Sequence, residues 1–173
     1  MAYVAPGTVA AGDVYTAAAH NIQVANVISL RALANVQQAL VTTPTILAGT
    51  AYANTGLSGT ITPTFSDSKV LIHITQWFSA TPNAADISFS TVKVVRGSTD
   101  IWLPATNNRT PVQLNATGLG AVGTFWTFTY LDSPASITAT VYKTMVRTAG
   151  AAYTITAQAD SIQSQIVLQE IPA

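Results

Sequence analysis

The chain has 173 residues, enough for one sizeable domain with an appendage and too few for two comfortable domains. Hydrophobic residues make up 49% and charged residues only 8%, against an ordinary charged share of about 25%, which argues against a well-solvated monomer and predicts a homo-oligomer. Seven basic and seven acidic side chains cancel, no Lys/Arg cluster marks a nucleic-acid or membrane surface, and the lack of cysteine removes disulfides, thiolate metal sites and cysteine nucleophiles.

Residues 1–15, with Pro6, Gly7, Gly12 and Asp13, show no periodicity and read as an extended leader. They lack the charged start and apolar core of a signal peptide, and no apolar run approaches transmembrane length. Synthesis in the cytoplasm without general secretory export is expected, and no membrane insertion. The glycosylation sequons at Asn108 and Asn115 therefore carry little weight.

Thr16 is a good N-cap, and the Ala-rich stretch after it contains no Gly or Pro, which predicts a helix through Leu40. One heptad frame aligns Ile22, Ser29 and Val36 with Asn26, Leu33 and Leu40. The rival frame gathers Val27, Ala34 and Val41 with Gln23, Leu30 and Gln37. Neither is clean. A short parallel bundle between identical chains and an amphipathic helix packed on its own domain or a neighbour both remain open.

Residues 42–45, "TTPT", read as a linker, and from Ile46 the pattern has period two. Candidate strands are Ile46–Ala53, Leu57–Thr62, Lys69–Ser79, Asp86–Val95, Ile101–Leu103, Val112–Asn115, Gly123–Leu131, Ser136–Thr148, Ala152–Ala157 and Ile162–Ile171. Regular short strands with turn signals and no helical pattern between them predict a mainly β fold, a sandwich or barrel. Over 69–79, Val70, Ile72, Ile74 and Phe78 share one face and Leu71, His73, Thr75 and Trp77 the other. Over 123–131, Trp126, Phe128 and Tyr130 oppose Phe125, Thr127, Thr129 and Leu131. Strands apolar on both sides fit packed subunits, with Leu71, His73, Trp77, Phe125 and Tyr142 as candidate interface residues.

No constellation for catalysis emerges. His20 and His73 are the only histidines, and neither has a second ligand at metal-binding spacing. The acids at 13, 67, 86, 100, 132, 160 and 170 are single, and most sit beside turn residues. Gly118-Leu-Gly120 lies in "ATGLGAVG" before a strand, not a helix, so it reads as a loop. The Asp132-Ser133-Pro134 corner reads as a strand connection, because no glycine elbow surrounds Ser133. No metal or cofactor is expected. Among the tryptophans Trp102 is the best candidate for stacking on a sugar, in a loop-rich stretch with Asn107, Asn108 and Arg109.

The phrase "APGTVAAGDVYTAAAHNIQVANVISL" resembles the leader of tailed-bacteriophage virion proteins, through Pro6, Thr8, Gly12, Asp13, Val14, Thr16, Ala17, Ala18 and Asn21. Similarly, "PTFSDSKVLIHI", "VVRGSTDIW", "YLDSPASITATVYKTMVRT" and "SQIVLQEI" resemble fibre-tip and head-fibre domains of the trimeric tumour-necrosis-factor/C1q-like type. The resemblance implies a trimeric antiparallel jelly-roll β-sandwich over 46–173 and a virion anchor over 1–41, with Pro6, Thr8, Gly12, Asp13, Val14, Thr16 and Asn21 in the anchor. It further implies a non-enzymatic short tail fibre or spike for host attachment. A capsid decoration or head-fibre protein is the alternative, and a glycan-degrading tailspike the enzymatic rival. Expected partners are further copies of the chain, other virion proteins and a host-surface glycan; nucleic acid is not expected. The expected location is the virion, after synthesis in the host cytoplasm.

Overall fold

The computed structural model describes residues 17–33, 35–81, 88–104, 113–114, 122–148 and 154–173. Helix α1 spans Ala17–Leu33, and the chain then enters strand β1, Val36–Val41. The helix expected through Leu40 is thus shorter, and Asn35 shows why. Its Nδ2 donates to the Thr62 carbonyl at 2.9 Å and to Glu170 at 2.7 Å, while its own carbonyl accepts the Glu170 amide at 3.0 Å. From there β1 pairs antiparallel with β11, Ser164–Ile171, in register from Val36↔Gln169 to Val41↔Ser164. Helix propensities differ by only tenths of a kcal/mol per residue, and a full strand ladder outweighs them.

The same pairing corrects the boundary expected at 41/42. Residues 42–44 join β1 to β2, Thr45–Ala48, and both strands lie in one sheet. They are an inter-strand bend, not an inter-domain linker.

Two antiparallel sheets make up the β-domain. In the first, β8 (Val122–Asp132) forms one edge and pairs along almost all of β4 (Lys69–Thr81). The other side of β4 takes β11 over Lys69–Thr75 and β10 (Thr154–Ala157) over Phe78–Thr81. Beyond these, β1 and β2 complete the sheet. In the second sheet the order is β3 (Ala53–Ile61), β9 (Thr140–Thr148), β5 (Ser88–Arg96) and β6 (Thr99–Trp102). The two-residue β7 (Gln113–Leu114) pairs with the start of β5. Every expected strand overlaps an observed one.

Alternation decides what lies between the sheets. Val70, Ile72, Ile74 and Phe78 of β4, with Ile166 and Leu168 of β11, face Leu57 and Ile61 of β3, Val92 and Val94 of β5, and Tyr142 and Val146 of β9. Fully burying each such aliphatic side chain is worth about 1.5–3 kcal/mol. Gly59 faces the opposite sheet: a Cβ there would lie 3.1 Å from Ile166 Cγ2 and 3.2 Å from Leu168 Cδ1. The break between β10 and β11 places Gln158 in a left-handed conformation with φ 54°. Its amide hydrogen bonds to the Trp77 carbonyl at 2.9 Å, which keeps the break fastened to β4.

One end of the sandwich is closed by two buried acids flanking Val70. In register across the sheet, Val70 lies between Asp132 of β8 and Glu170 of β11. Asp132 accepts from Arg96 Nη1 at 2.7 Å and from the Tyr142 hydroxyl at 2.8 Å, both from the opposite sheet. Burial first, and then the Asp132 carboxylate, pushes the Tyr142 phenol well above its ordinary pKa. Glu170 accepts from Asn35 Nδ2, the Thr64 amide (2.7 Å), the Thr64 hydroxyl (3.0 Å), the Phe65 amide (3.2 Å) and the Ser68 hydroxyl (2.7 Å). It clamps the β3–β4 connection to the start of β1.

Candidate interaction surface

The outward face of the first sheet collects the large apolar side chains that the core does not use. Along β8 it carries Phe125, Thr127, Thr129 and Leu131, which pair in register with Trp77, Thr75, His73 and Leu71 of β4. Beyond β4 come Val167 and Ile171 of β11, then Val36 and Leu40 of β1 and Ile46 of β2. Phe125 is 52% exposed, Leu40 51% and Ile46 74%. Among the described residues of this face Lys69, at one end, is the single Lys, Arg, Asp or Glu. Gln38, Gln165, Gln169, Thr75 and Thr156 stand among the apolar side chains, so the face is poor in charge and mixed in polarity, a composition common at protein–protein contacts.

Four of the five candidate interface residues meet on this face. Leu71, His73 and Trp77 alternate along β4, and Phe125 stands opposite Trp77 with ring centroids 4.8 Å apart, edge to face. His73 Nδ1 and the Thr129 hydroxyl are 3.0 Å apart, a cross-strand pair. Tyr142 is a correction. It is fully buried on the inward face of β9, held by its hydroxyl on Asp132, and reaches no outer surface. Its place follows from the parity of β9, in which Tyr142, Thr144 and Val146 point inward while Lys143, Met145 and Arg147 point outward.

Trp77 lies flat over Gly123. A Cβ at Gly123 would come within 2.2 Å of the Trp77 ring, so only glycine leaves the indole room. Gly123→Ala is expected to lift Trp77 off β8 and roughen the middle of the face. A red-shifted, more quenchable tryptophan emission with an unchanged far-ultraviolet spectrum checks this; an unchanged emission contradicts it.

The remaining candidates scatter. Trp102 in β6 packs its ring against Trp126 at 5.9 Å and Phe128 at 5.1 Å, so much of it serves as a lid on the core. Asn107, Asn108 and Arg109 lie outside the described residues, as do Pro6, Thr8, Gly12, Asp13, Val14 and Thr16. Asn21 is exposed on α1. That helix also exposes Val24, Val27 and Leu30, a stripe at helical spacing that a self-contained domain would bury. Sequence reading missed Val36, Leu40 and Ile46 as surface residues, because the first two were placed in the helix and Ile46 opened a candidate strand with no face assigned. The apolar positions through 36–48 do not alternate, so the sequence alone offered no clear signal for them.

Ser133 is exposed, and its carbonyl, not its hydroxyl, accepts from Arg96 at 3.1 Å. Ser133→Ala is expected to change the unfolding free energy by less than about 0.5 kcal/mol. A denaturant titration that shows a larger loss would assign the hydroxyl a role. Among the described residues no group of three His, Asp or Glu side chains is placed to hold a metal ion, and no helix is long and apolar enough to cross a membrane. No protein-family model matches the chain, and no curated protein matches its sequence.

Proposed function

We propose that the chain is a non-enzymatic structural protein of a tailed-bacteriophage virion. In this reading it is a homotrimeric short fibre or spike that docks through its N-terminal leader and helix and presents its β-domain to the host surface. The observation that carries the assembly half is the charge-poor outer face built on Leu71, Trp77, Phe125, Leu131, Leu40 and Ile46. A second copy of the chain is its occupant. An obligate interface of identical subunits is the usual home for such a surface, and the low charge of the whole chain argues against leaving it wet. In a ring of three, each face packs on a different surface of its neighbour, which closes the assembly.

The strand order supports a jelly roll. With end-to-end strands joined, β1/β2, β10/β11, β4 and β8 face β3, β9, β5 and β6/β7, the interleaving of two Greek keys. The virion half rests on the resemblance of the leader and of the strand phrases. The non-enzymatic half is supported by how the acids are used: Asp132 and Glu170 are committed to structural hydrogen bonds, and Asp100 to Lys93 at 2.7 Å. Turnover of host polysaccharide by the isolated protein would overturn that half.

One observation favours a second role, a capsid decoration or head-fibre protein. Only residues 34 and 35 separate α1 from β1, so no shaft lies between helix and β-domain. Labelling the protein on intact particles for electron microscopy decides between tail and head. Competition of the purified protein with particle adsorption tests attachment directly; a lack of competition counts for decoration.

A further inference from the structure

The second sheet turns a different surface outward. Three of the chain's seven basic side chains stand on it: Lys93 of β5, and Lys143 and Arg147 on β9, four register positions apart with Met145 between them on the same face. Asp100 is the carboxylate among them, bound to Lys93. Lys143 and Arg147 have no carboxylate partner among the described residues. Tyr52 lies between two of the cations, its ring centroid 4.7 Å from Lys93 Nζ and 5.2 Å from Arg147 Cζ. These contacts hold Arg147 and Lys93 in place without neutralising them.

Beside this cluster the ladder between β3 and β9 opens. Pairing slips between Asn54 and Ser58, where Gly56 takes a left-handed conformation at φ 87°. The bulge leaves a depression of about 220 Å³, lined by Asn54, Gly56, Ser58, Val141, Lys143 and backbone of Leu57 and Thr144. It is smaller than the pockets of about 300–1,000 Å³ that take drug-sized ligands. Lys143 stands beside an amide and a hydroxyl there, the donor set for an anionic oxygen group flanked by sugar hydroxyls.

We propose that this depression binds the acidic group of a saccharide, a carboxylate or phosphate carried on a sugar ring, with Lys143 as the direct partner and Arg147, outside the lining, adding only to the positive field around it. The charge of the patch selects an anion, and its small size and neutral donors favour one substituted ring over an extended acidic peptide. Three cations in a chain of zero net charge make no track for nucleic acid. The site is on the sheet opposite the apolar face, so subunit packing through that face leaves it open. The inference rests on the attachment reading and names the class of host ligand.

The test titrates the purified full chain with a galacturonate oligosaccharide, a phosphorylated oligosaccharide, a neutral oligosaccharide of equal length and a polyglutamate peptide. At low salt the expected result is binding of one or both acidic saccharides, weakened by added salt, with at most trace binding of the neutral one. The two acidic arms separate carboxylate from phosphate. Lys143→Gln is expected to lower affinity about tenfold or more, and Arg147→Gln less. Ser133→Ala, in the exposed connection after β8, should leave it unchanged. Equal binding of neutral and acidic saccharides overturns the proposal. So does preference for the peptide, unchanged affinity in Lys143→Gln, or no binding of either acid at millimolar concentration. Because oligomeric state and adsorption competition are measured separately, a negative result here leaves the attachment reading standing on its own test.

Discussion

Glu170→Ala is expected to lower the unfolding free energy by about 3–5 kcal/mol, the largest loss of any single substitution considered for this protein. Glu170 is fully buried and accepts five hydrogen bonds. Removing it strands two backbone amides and two hydroxyls and leaves the Asn35 amide only its bond to the Thr62 carbonyl, and each buried donor left without a partner costs about 1–3 kcal/mol. Water entering beside the partly buried donors offsets some of that sum. The loss is a large share of the about 5–15 kcal/mol that stabilises ordinary domains. Urea titrations of the two proteins measure it, and a difference below about 1 kcal/mol would contradict the clamp.

The same carboxylate gives the chain an acid sensitivity with a definite sign. Burial raises the Glu170 pKa, but the bonds from Ser68, Asn35 and Thr64 outweigh it and hold the group below its ordinary value. The unfolded chain therefore binds the proton first as pH falls. Glu170 contributes its full charge-linked stability above the unfolded pKa of about 4.3, and that contribution fades as pH drops through the lower folded value. Glu170→Gln should flatten the stability profile below about pH 4.5 while leaving its shape near neutrality unchanged.

Phe125→Glu is expected to disperse the assembly into folded single chains. Phe125 is half exposed in the isolated chain and touches its own fold chiefly through the edge of Trp77, so the substitution leaves the core intact. Inside a subunit contact it buries a carboxylate with no cation nearby, at an effective cost of several kcal/mol for each copy. Ile137→Glu, in the exposed β8–β9 connection, is the matched control and should leave the mass unchanged. Sedimentation velocity separates the two. A Phe125→Glu protein that sediments like the parent would remove the outer face of the first sheet from the interface.

Much of the β-domain was legible because its strands alternate. Over Lys69–Ser79 and Gly123–Leu131 parity alone sorts the side chains into two faces, and the structure keeps both groupings and shows which one is buried. Tyr142 was misplaced for lack of a reference: "ATVYKTMVRT" has large side chains on both faces, and only pairing with β5 and the Asp132 bond decide which turns inward. The stretch 36–41 misled because Gln, Ala and Leu suit a helix, whereas the strand there is imposed by β11 from the far end of the chain. The Glu170 clamp was invisible for the same reason. Its donors come from residues 35 and 64–68, more than a hundred positions away. The basic patch was not legible, since Tyr52 and the bulge at Gly56 lie on another strand's approach.

The central claim is that the apolar outer face is covered by further copies of the chain. Multi-angle light scattering on the purified chain tests it most directly. The account predicts a molar mass three times that of the 18.0 kDa chain, unchanged on dilution through the micromolar range. A mass of 18.0 kDa under the same conditions would contradict it.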